Sequence, residues 1–242
     1  MGLIVQKFGG TSVADRVCIY NVANIIARRI KEGNYVVTVV SAQGDDTDRL
    51  ISKAYEVASQ PEPREFDALV TTGEQVSAAL LAIALNSMGI KAISLNGGQA
   101  GIHTDDCHGE SSIVSIDYER IEELLRNGYT VIVTGYQGIN SKGDVAALGR
   151  GGSDTSAVAL AAALKADFCR IYKDVDGIYS ADPRRDTNAV KYDRLTYDQM
   201  LAIVDSGSGV LQRKSVEIAK QEGVELHILS SFQKMKGTII GK

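Results

Sequence analysis

Several short runs of β-branched and apolar residues restrict the folds that this chain can adopt. Two of them, at 35–40 and 129–134, are apolar at almost every position, which is typical of strands buried on both faces of a parallel sheet. Stretches with apolar residues at helical spacing, such as 16–31, separate these runs. Strands that alternate with helices predict an α/β fold with a mainly parallel central sheet sandwiched between helices.

Length and composition exclude several classes of protein. The chain has 242 residues, of which 44% are hydrophobic and 23% charged, as in a globular domain with a sizeable core. A net charge of −4 gives no basic surface for nucleic acid. Three widely separated cysteines indicate reduced thiols rather than disulfides. No apolar run approaches about 18 residues and no signal peptide is evident, so we expect a cytoplasmic protein without a membrane segment.

A glycine-rich loop leads directly into an apolar helix. Residues 149–156 read GRGGSDTS, and Ser153, Asp154 or Thr155 could cap the helix. The first N–H groups of the helix attract anions, and Arg150 adds a donor for a carboxylate or phosphate. A carboxylate in an anion site, here Asp154, usually orients a lysine or a metal. The simpler alternative is a tight turn with a good helix cap.

A second glycine turn follows the first predicted strand. Lys7 stands near the end of that strand, and Gly9 and Gly10 come directly after it. Backbone N–H groups in such a turn can cradle phosphate, and Lys7 could neutralise its charge. The alternative is a strand end followed by a capped helix.

Polar residues also follow the strand at 35–40. Ligands of open parallel sheets bind beyond the carboxyl ends of strands, so Ser41 and Thr47 are placed to contact one. The acidic residues at 45, 46 and 48 could hold a metal, but we favour a helix cap. Glu74 lies in an apolar helical region and could bind an ammonium group; the alternative is a solvated glutamate.

Two further loops carry chemically interesting side chains. After the strand at 167–172, Tyr179 could stack on a base and Arg184 could reach phosphates, although a polar surface loop is the alternative. The segment 103–108 contains two histidines, one cysteine and two aspartates. We prefer a polar loop at a lobe or dimer contact to a metal site there, because local density is not ligand geometry.

Taken together, these loops resemble the amino acid kinase family, and within it the aspartokinases. The resemblance implies the amino acid kinase fold as one domain over 1–242, with an acceptor lobe over about 1–150 and a nucleotide lobe over about 151–242. It also implies ATP-dependent phosphorylation of the side-chain carboxylate of L-aspartate, towards lysine, threonine or methionine, by a homodimer. The matching stretches follow the family's order: Lys7–Ser12, Val39–Ala42, Thr72–Glu74, Gln99–Gly101, Gly135–Gly138, Leu148–Thr155, Asp174–Gly177, Tyr179 and Ala181–Arg184.

The resemblance also implies roles for individual residues. The catalytic residues are Lys7 and Asp154, with Asp154 orienting the lysine. Arg150 pairs with the α-carboxylate of the substrate and Glu74 with its α-ammonium group. Mg²⁺ bridges the phosphates of ATP with few protein ligands, and we assign no metal site to the protein. The other substrate-binding residues are Ser12, Thr47 and Ser153. The nucleotide-binding residues are Lys7, Gly9, Gly10, Ser41, Lys173, Asp174, Tyr179 and Arg184.

The sequence departs from the family pattern in four places. Gly209 to Arg213 replaces Lys-Val-Leu-His-Pro, so a lysine near the nucleotide phosphates is missing. Lys173 replaces a threonine, and Asp46 replaces another. We hypothesise that Lys173, Arg213 or Lys214 supplies the lost charge. The sequence also stops at Lys242, where aspartokinases continue into ACT domains, so we expect no feedback through such domains unless the chain is cut or has a regulatory partner.

Two alternatives remain at this stage. The first is a kinase of the same fold with a different amino-acid or carboxylate acceptor, although Arg150 and Glu74 together favour an α-amino acid. The second is a non-catalytic subunit that binds ATP and an amino acid. Only Gly209 supports it, whereas Lys7 and Asp154 argue against it.

Overall fold

A computed structural model describes residues 2–183, 186–207 and 209–242. In chain order the strands are β1 (Leu3–Phe8), β2 (Tyr35–Val40), β3 (Ala92–Leu95), β4 (Ile102–Thr104), β5 (Ile113–Ile116), β6 (Thr130–Thr134), β7 (Gln137–Ile139), β8 (Val145–Ala147), β9 (Phe168–Lys173), β10 (Arg194–Thr196), β11 (Leu226–Ser230) and β12 (Thr238–Gly241). The helices are α1 (Arg16–Lys31), α2 (Asp46–Val57), α3 (Pro63–Val70), α4 (Thr72–Ser87), α5 (Glu119–Arg126), α6 (Gly152–Ala163), α7 (Tyr197–Asp205) and α8 (Arg213–Glu222).

The central sheet has eight strands in the order β10-β12-β11-β9-β1-β2-β6-β3. All neighbouring pairs are parallel except β11 and β12. Every residue of β6 is buried, which agrees with its apolar sequence on both faces. The predicted α/β fold with a mainly parallel sheet is therefore confirmed.

Helices cover both faces of this sheet, so alternate side chains of a strand enter two different cores. On one face Val5 of β1 packs in a core with residues of α6, including Leu160. On the other face Phe8 of β1 packs in a second core with Ile26 of α1 and Leu81 of α4. The side of the sheet that Lys7 shares with Val5 is thus the side of α6.

A smaller sheet of four strands, in the order β5-β4-β7-β8, was not predicted. Its strands have only three or four residues each, too few to show a clear alternation of apolar and polar side chains. A turn at 140–144 joins β7 and β8, and within it Asn140 N–H donates to the Asp144 carbonyl.

The predicted apolar helical region that contains Glu74 consists of α3 and α4, which meet at Thr71. Within the described part of the chain, the stretch Pro63–Ser87 is long and apolar enough to cross a membrane by length and composition, and 56% of its most apolar window is buried in the fold. Buried core helices meet the same criterion, and Glu74 lies inside this stretch with 3% exposure.

Candidate active site

A cavity of 320 Å³ opens at the carboxyl edge of the central sheet, beside the start of α6. It gathers predicted site residues from both halves of the chain. These residues are Lys7, Ser41, Thr47, Glu74, Arg150, Ser153, Asp154 and Lys173. Ligands of parallel sheets bind at the carboxyl edge, so the predicted site residues lie where such a fold usually binds its ligand.

Asp154 forms ion pairs with two lysines at the centre of this cavity. Its Oδ1 lies 2.8 Å from Lys7 Nζ, and its Oδ2 accepts a hydrogen bond of 2.7 Å from Lys173 Nζ. Lys7 and Asp154 are almost fully buried, whereas Lys173 is 19% exposed. Two ammonium groups on one carboxylate leave a net positive charge, which suits a phosphate.

The ionisation of this cluster follows from burial and charge. Burial opposes ionisation of Asp154, but the charges and hydrogen bonds of the two lysines prevail and lower its pKa. The pKa of Lys7 is also lowered, because the loss of hydration and the charge of Lys173 outweigh the attraction of Asp154. Asp154 therefore stays ionised, and its charge holds both lysines in place.

The strand register explains why these three side chains meet. Lys7 is near the end of β1 and lies opposite Ile171 of β9. Lys173, two residues after Ile171, points to the same face of the sheet, because strand side chains repeat every second residue. Asp154 is in the first turn of α6, which packs over this face.

Glycine allows α6 to begin beside the cavity. The helix cap is Gly151, not Ser153, Asp154 or Thr155 as the sequence predicted. Gly151 has a φ of +72°, which few residues with a side chain adopt. A Cβ on Gly151 would lie 1.8 Å from Gln212 Cγ, so glycine also makes room for the N-terminal end of α8.

Glu74 is a buried carboxylate with one free oxygen. Oε1 accepts a hydrogen bond of 3.0 Å from Ala42 N–H, whereas Oε2 has no hydrogen-bond partner among the described residues. Burial raises the pKa of Glu74 to about 7, against the opposing effects of backbone hydrogen bonds and of Lys7. A buried acceptor without a donor is costly, so Oε2 is suited to a ligand that brings an N–H donor.

Arg150 lines the same cavity and is exposed to solvent. Its guanidinium is therefore accessible to an incoming carboxylate, which it can bind through two parallel hydrogen bonds. Glu74 and Arg150 give the cavity one acceptor and one donor for the two charged groups of an α-amino acid.

Gly9 and Gly10, which follow β1, lie beside the cavity and do not line it. A Cβ on Gly9 would be 3.6 Å from Lys7 Nζ, and one on Gly10 would be only 2.8 Å from the Ala42 carbonyl. Gly10 thus allows the ends of β1 and β2 to approach. Ser12 is buried, and its hydroxyl lies 2.8 Å from that of Ser231.

Two predicted nucleotide residues of the second half, Asp174 and Tyr179, do not line this cavity. Asp174 is exposed. The hydroxyl of Tyr179 donates to Asp176 Oδ1 at 2.9 Å, and Asp176 pairs with Lys191 at 2.8 Å. Arg184 falls outside the described residues, so its predicted contact with phosphates stays a prediction.

The three lysine and arginine candidates for the lost charge have different surroundings. Lys173 lines the cavity. Arg213 pairs with Asp205 and with Glu217 on the surface. Lys214 Nζ donates to the Ser111 carbonyl at 3.2 Å and to Ser112 Oγ at 3.1 Å. Of the three, the geometry favours Lys173.

Sequence reasoning assigned no site role to four side chains that line the cavity: Asp48, Ile51, Tyr136 and Gln212. Tyr136 has a φ of +70°, an uncommon value for a bulky residue. Burial and nearby carboxylates raise its pKa to about 12, so its hydroxyl remains a donor. The available signal was that Tyr136 belongs to the sequence GYQG that directly follows β6. Gln212 gave none.

The polar segment at 103–108 is explained by protein contacts. Asp106 accepts hydrogen bonds from Ser141, and the ring of His108 lies against Asp67, with Nδ1 and Oδ2 2.9 Å apart. Within the described ranges, no group of three histidine, cysteine, aspartate or glutamate side chains is arranged to hold a metal ion.

The chain belongs to the amino acid kinase family, whose model matches residues 2–230. It is 51% identical over 240 residues to a protein named aspartokinase from Bacillus sp. (strain MGA3), an alignment that covers 99% of this chain and 58% of that protein. The chain therefore spans somewhat more than half the length of this relative.

Solved structures of aspartate kinases are also similar to this chain. The crystal structure of aspartate kinase from Synechocystis matches with a TM-score of 0.89 and 45% identity, over 99% of this chain and 39% of that one. Aspartokinase III of E. coli, solved in complex with aspartate and ADP, matches with a TM-score of 0.87 and 25% identity, over 99% of this chain and 64% of that one.

Proposed function

We propose that this chain catalyses ATP-dependent phosphorylation of the side-chain carboxylate of L-aspartate, which yields 4-phospho-L-aspartate and ADP. One observation carries the proposal: a single cavity holds Glu74 and Arg150 next to the cluster of Asp154 with its two lysines. The aspartokinase relatives, one of them solved with aspartate and ADP, support the choice of substrates.

The first part of the site binds the acceptor. Glu74 Oε2, buried and without a donor among the described residues, receives the α-ammonium group. Arg150 binds the α-carboxylate through its guanidinium. Thr47 and Ser153 line the cavity and offer hydroxyl groups to the same molecule. The role of Ser12 in substrate binding rests on the family resemblance alone.

The second part of the site manages charge during transfer. An oxygen of the aspartate side chain attacks the γ-phosphorus, the bond from phosphorus to the bridging oxygen breaks, and ADP leaves with the electron pair. Two anions approach each other, so catalysis consists mainly of positioning and of charge neutralisation. Lys7 supplies a buried positive charge, and Asp154 orients it.

We assign the second positive charge to Lys173. Its Nζ lies in the cavity and contacts the same carboxylate as Lys7, in a chain whose position 209 is glycine. Lys173 takes over the function of the family lysine, whose position is occupied by Gly209 in this chain. Gly9, Gly10, Ser41, Asp174, Tyr179 and Arg184 complete the nucleotide site on the strength of the resemblance.

The proposed reaction would use Mg²⁺ together with ATP. Both oxygens of Asp154 already face a lysine, so this carboxylate offers Mg²⁺ no free pair of oxygens. We therefore expect that water and the phosphates of ATP, rather than this carboxylate, would hold the ion, as is common for Mg²⁺. The ion would offset phosphate charge. The proposal further includes a cytoplasmic homodimer in amino-acid biosynthesis towards lysine and threonine.

An ATP-dependent hydroxamate assay with aspartate, glutamate and N-acetylglutamate tests the function. Acyl phosphates react with hydroxylamine, so the coloured product reports which carboxylate was phosphorylated. Turnover of aspartate alone supports the proposal. Preference for another acceptor identifies a different kinase of this fold, and nucleotide binding without turnover of any acceptor identifies a binding subunit.

A further inference from the structure

Asp67 of α3 is a buried carboxylate that the proposed reaction does not use. It is 0% exposed, and its Oδ2 accepts hydrogen bonds of 3.0 Å from the N–H groups of Gly109 and Ala147. His108 Nδ1 lies 2.9 Å from the same oxygen. Three groups from two other segments therefore converge on one carboxylate. A buried carboxyl group is costly unless its oxygens have hydrogen-bond partners.

One side of this network leads to Arg150. Ala147 is the last residue of β8, three residues before Arg150. The loop after His108 runs beside the same segment, because a Cβ on Gly149 would lie 3.4 Å from the Gly109 carbonyl. Ser111 N–H and Oγ both donate to the Ala147 carbonyl. Asp67 thus fixes the end of the strand from which the Arg150 loop departs.

The other side leads to Glu74. Helices α3 and α4 meet at Thr71, whose hydroxyl and N–H donate to the Asp67 carbonyl. Gln137 of β7 donates to the Thr71 carbonyl at 2.8 Å. Glu74 lies one turn further on, in the first turn of α4. The position of Glu74 therefore depends on how α3 is held against the small sheet.

We propose that Asp67 is a positioning residue that sets the distance between Glu74 and Arg150, and with it the fit of the acceptor amino acid. The inference rests on the proposed function for the identity of that acceptor. Asp67 ties the helix pair of Glu74 to the strand and loop of Arg150 through its own side chain. Lys7 and Lys173 come from β1 and β9, which make no contact with Asp67 in this network. The effect is therefore selective for the acceptor.

Two substitutions at this position test the proposal by steady-state kinetics. Asp67→Ala removes every acceptor oxygen, and we expect the KM for aspartate to rise about tenfold, because small misplacements of binding groups are costly. Asp67→Asn keeps one oxygen for these donors, so its KM for aspartate should be only about twofold to threefold above that of the wild type. The KM for ATP should stay within about twofold in both variants.

Asp106→Ala is the matched control. Asp106 is in the same loop but binds the exposed Ser141, so its loss should change neither KM. An equal rise of both KM values in the Asp67 variants, or no rise for aspartate, overturns the proposal. If Asp67→Ala does not fold, Asp67→Asn decides alone, with an expected rise of about twofold to threefold for aspartate only.

Hydrogen exchange separates this inference from the proposed function. In Asp67→Asn, amide exchange should increase in 71–76 and in 145–150 together, relative to the wild type and to Asp106→Ala. If the wild type does not phosphorylate aspartate but both segments respond, the proposed function fails and the positioning role stands. If exchange in these segments does not change, the positioning role fails whatever the acceptor is.

Discussion

Asp154 connects the two halves of the proposed site, because one of its oxygens faces a lysine of β1 and the other a lysine of β9. Both ion pairs of Asp154 are too buried for water and salt to screen them strongly. A phosphate that enters the cavity can share the two ammonium groups with Asp154 without moving them. Preorganised charge of this kind stabilises a transition state without reorganisation during the reaction.

Removing the charge of Lys173 tests its assignment. We expect Lys173→Met to lower kcat about a hundredfold, the loss typical of a single group that stabilises the transition state. Arg213→Met removes a positive charge from the surface, where Arg213 pairs with Glu217, and should leave kcat within about twofold. Wild-type activity in Lys173→Met would show that another group supplies the charge.

The pH dependence of acceptor binding should follow Glu74. Burial raises the pKa of Glu74 to about 7, and only the ionised carboxylate attracts an ammonium group. The kcat/KM for aspartate should therefore fall as the pH drops below about 7. In Glu74→Gln the value should be low throughout, without this decline. A decline of the same shape in Glu74→Gln would assign it to another group.

Glu74 should also reduce stability at high pH. Its pKa is higher in the folded chain than its ordinary value, so folding favours the protonated form, and stability falls as the pH rises between the two values. Glu74→Gln should raise the free energy of unfolding by about 2 kcal/mol at pH 8. The gain should shrink towards pH 5 in urea denaturation. An equal gain at both pH values would contradict the assigned ionisation.

At the scale of elements, the start of α6 depends on Gly151. An alanine there would adopt a φ of +72° and place its Cβ against Gln212. We expect Gly151→Ala to lower the free energy of unfolding by about 2 kcal/mol and to lower kcat, because Asp154 shifts with the helix.

Gly143→Ala is the control for this prediction. Gly143 has a φ of +81°, and a Cβ there meets no atom within 4 Å. It should show the backbone cost alone, about 1 kcal/mol, with unchanged kcat. Equal losses of stability and unchanged kcat in both variants would remove the special role of Gly151.

The sequence predicted the long elements well and the small ones poorly. The range Arg16–Lys31 was predicted to be a helix and is one, since its apolar spacing extends over several turns. Strands of three residues, such as β4 and β7, carry no such pattern. The helix cap was assigned to Ser153, Asp154 or Thr155 because polar residues are the usual caps. The sequence does not show that Gln212 leaves no room for a side chain at the true cap, Gly151.

The candidate site was predictable where residues follow a strand and not where it depends on distant contacts. Lys7, Ser41 and Lys173 stand at strand ends, and a parallel sheet brings such ends to one edge. The partners of Asp67 are 41 to 80 positions away in sequence. No local pattern indicates them. The pairing of Ser12 with Ser231 is of the same kind.

At the scale of the whole molecule, β1 lies between β2 and β9, so strands from both halves of the chain share one sheet. This arrangement lets the acceptor residues of the first half and Asp154 and Lys173 of the second line one cavity. The division into lobes near residue 150 stays a prediction. The chain covers 58% of its Bacillus relative, and the proposal assigns the catalytic unit to this part.

The most direct test of the proposed activity compares aspartate with two molecules that each lack one of its charged groups. Succinate has no ammonium group for Glu74, and β-alanine has no α-carboxylate for Arg150, but both keep a carboxylate that can be phosphorylated. With ATP, Mg²⁺ and hydroxylamine, we predict hydroxamate from aspartate at a kcat/KM about a hundredfold or more above either analogue. Equal turnover of all three, or none of aspartate, would contradict the account.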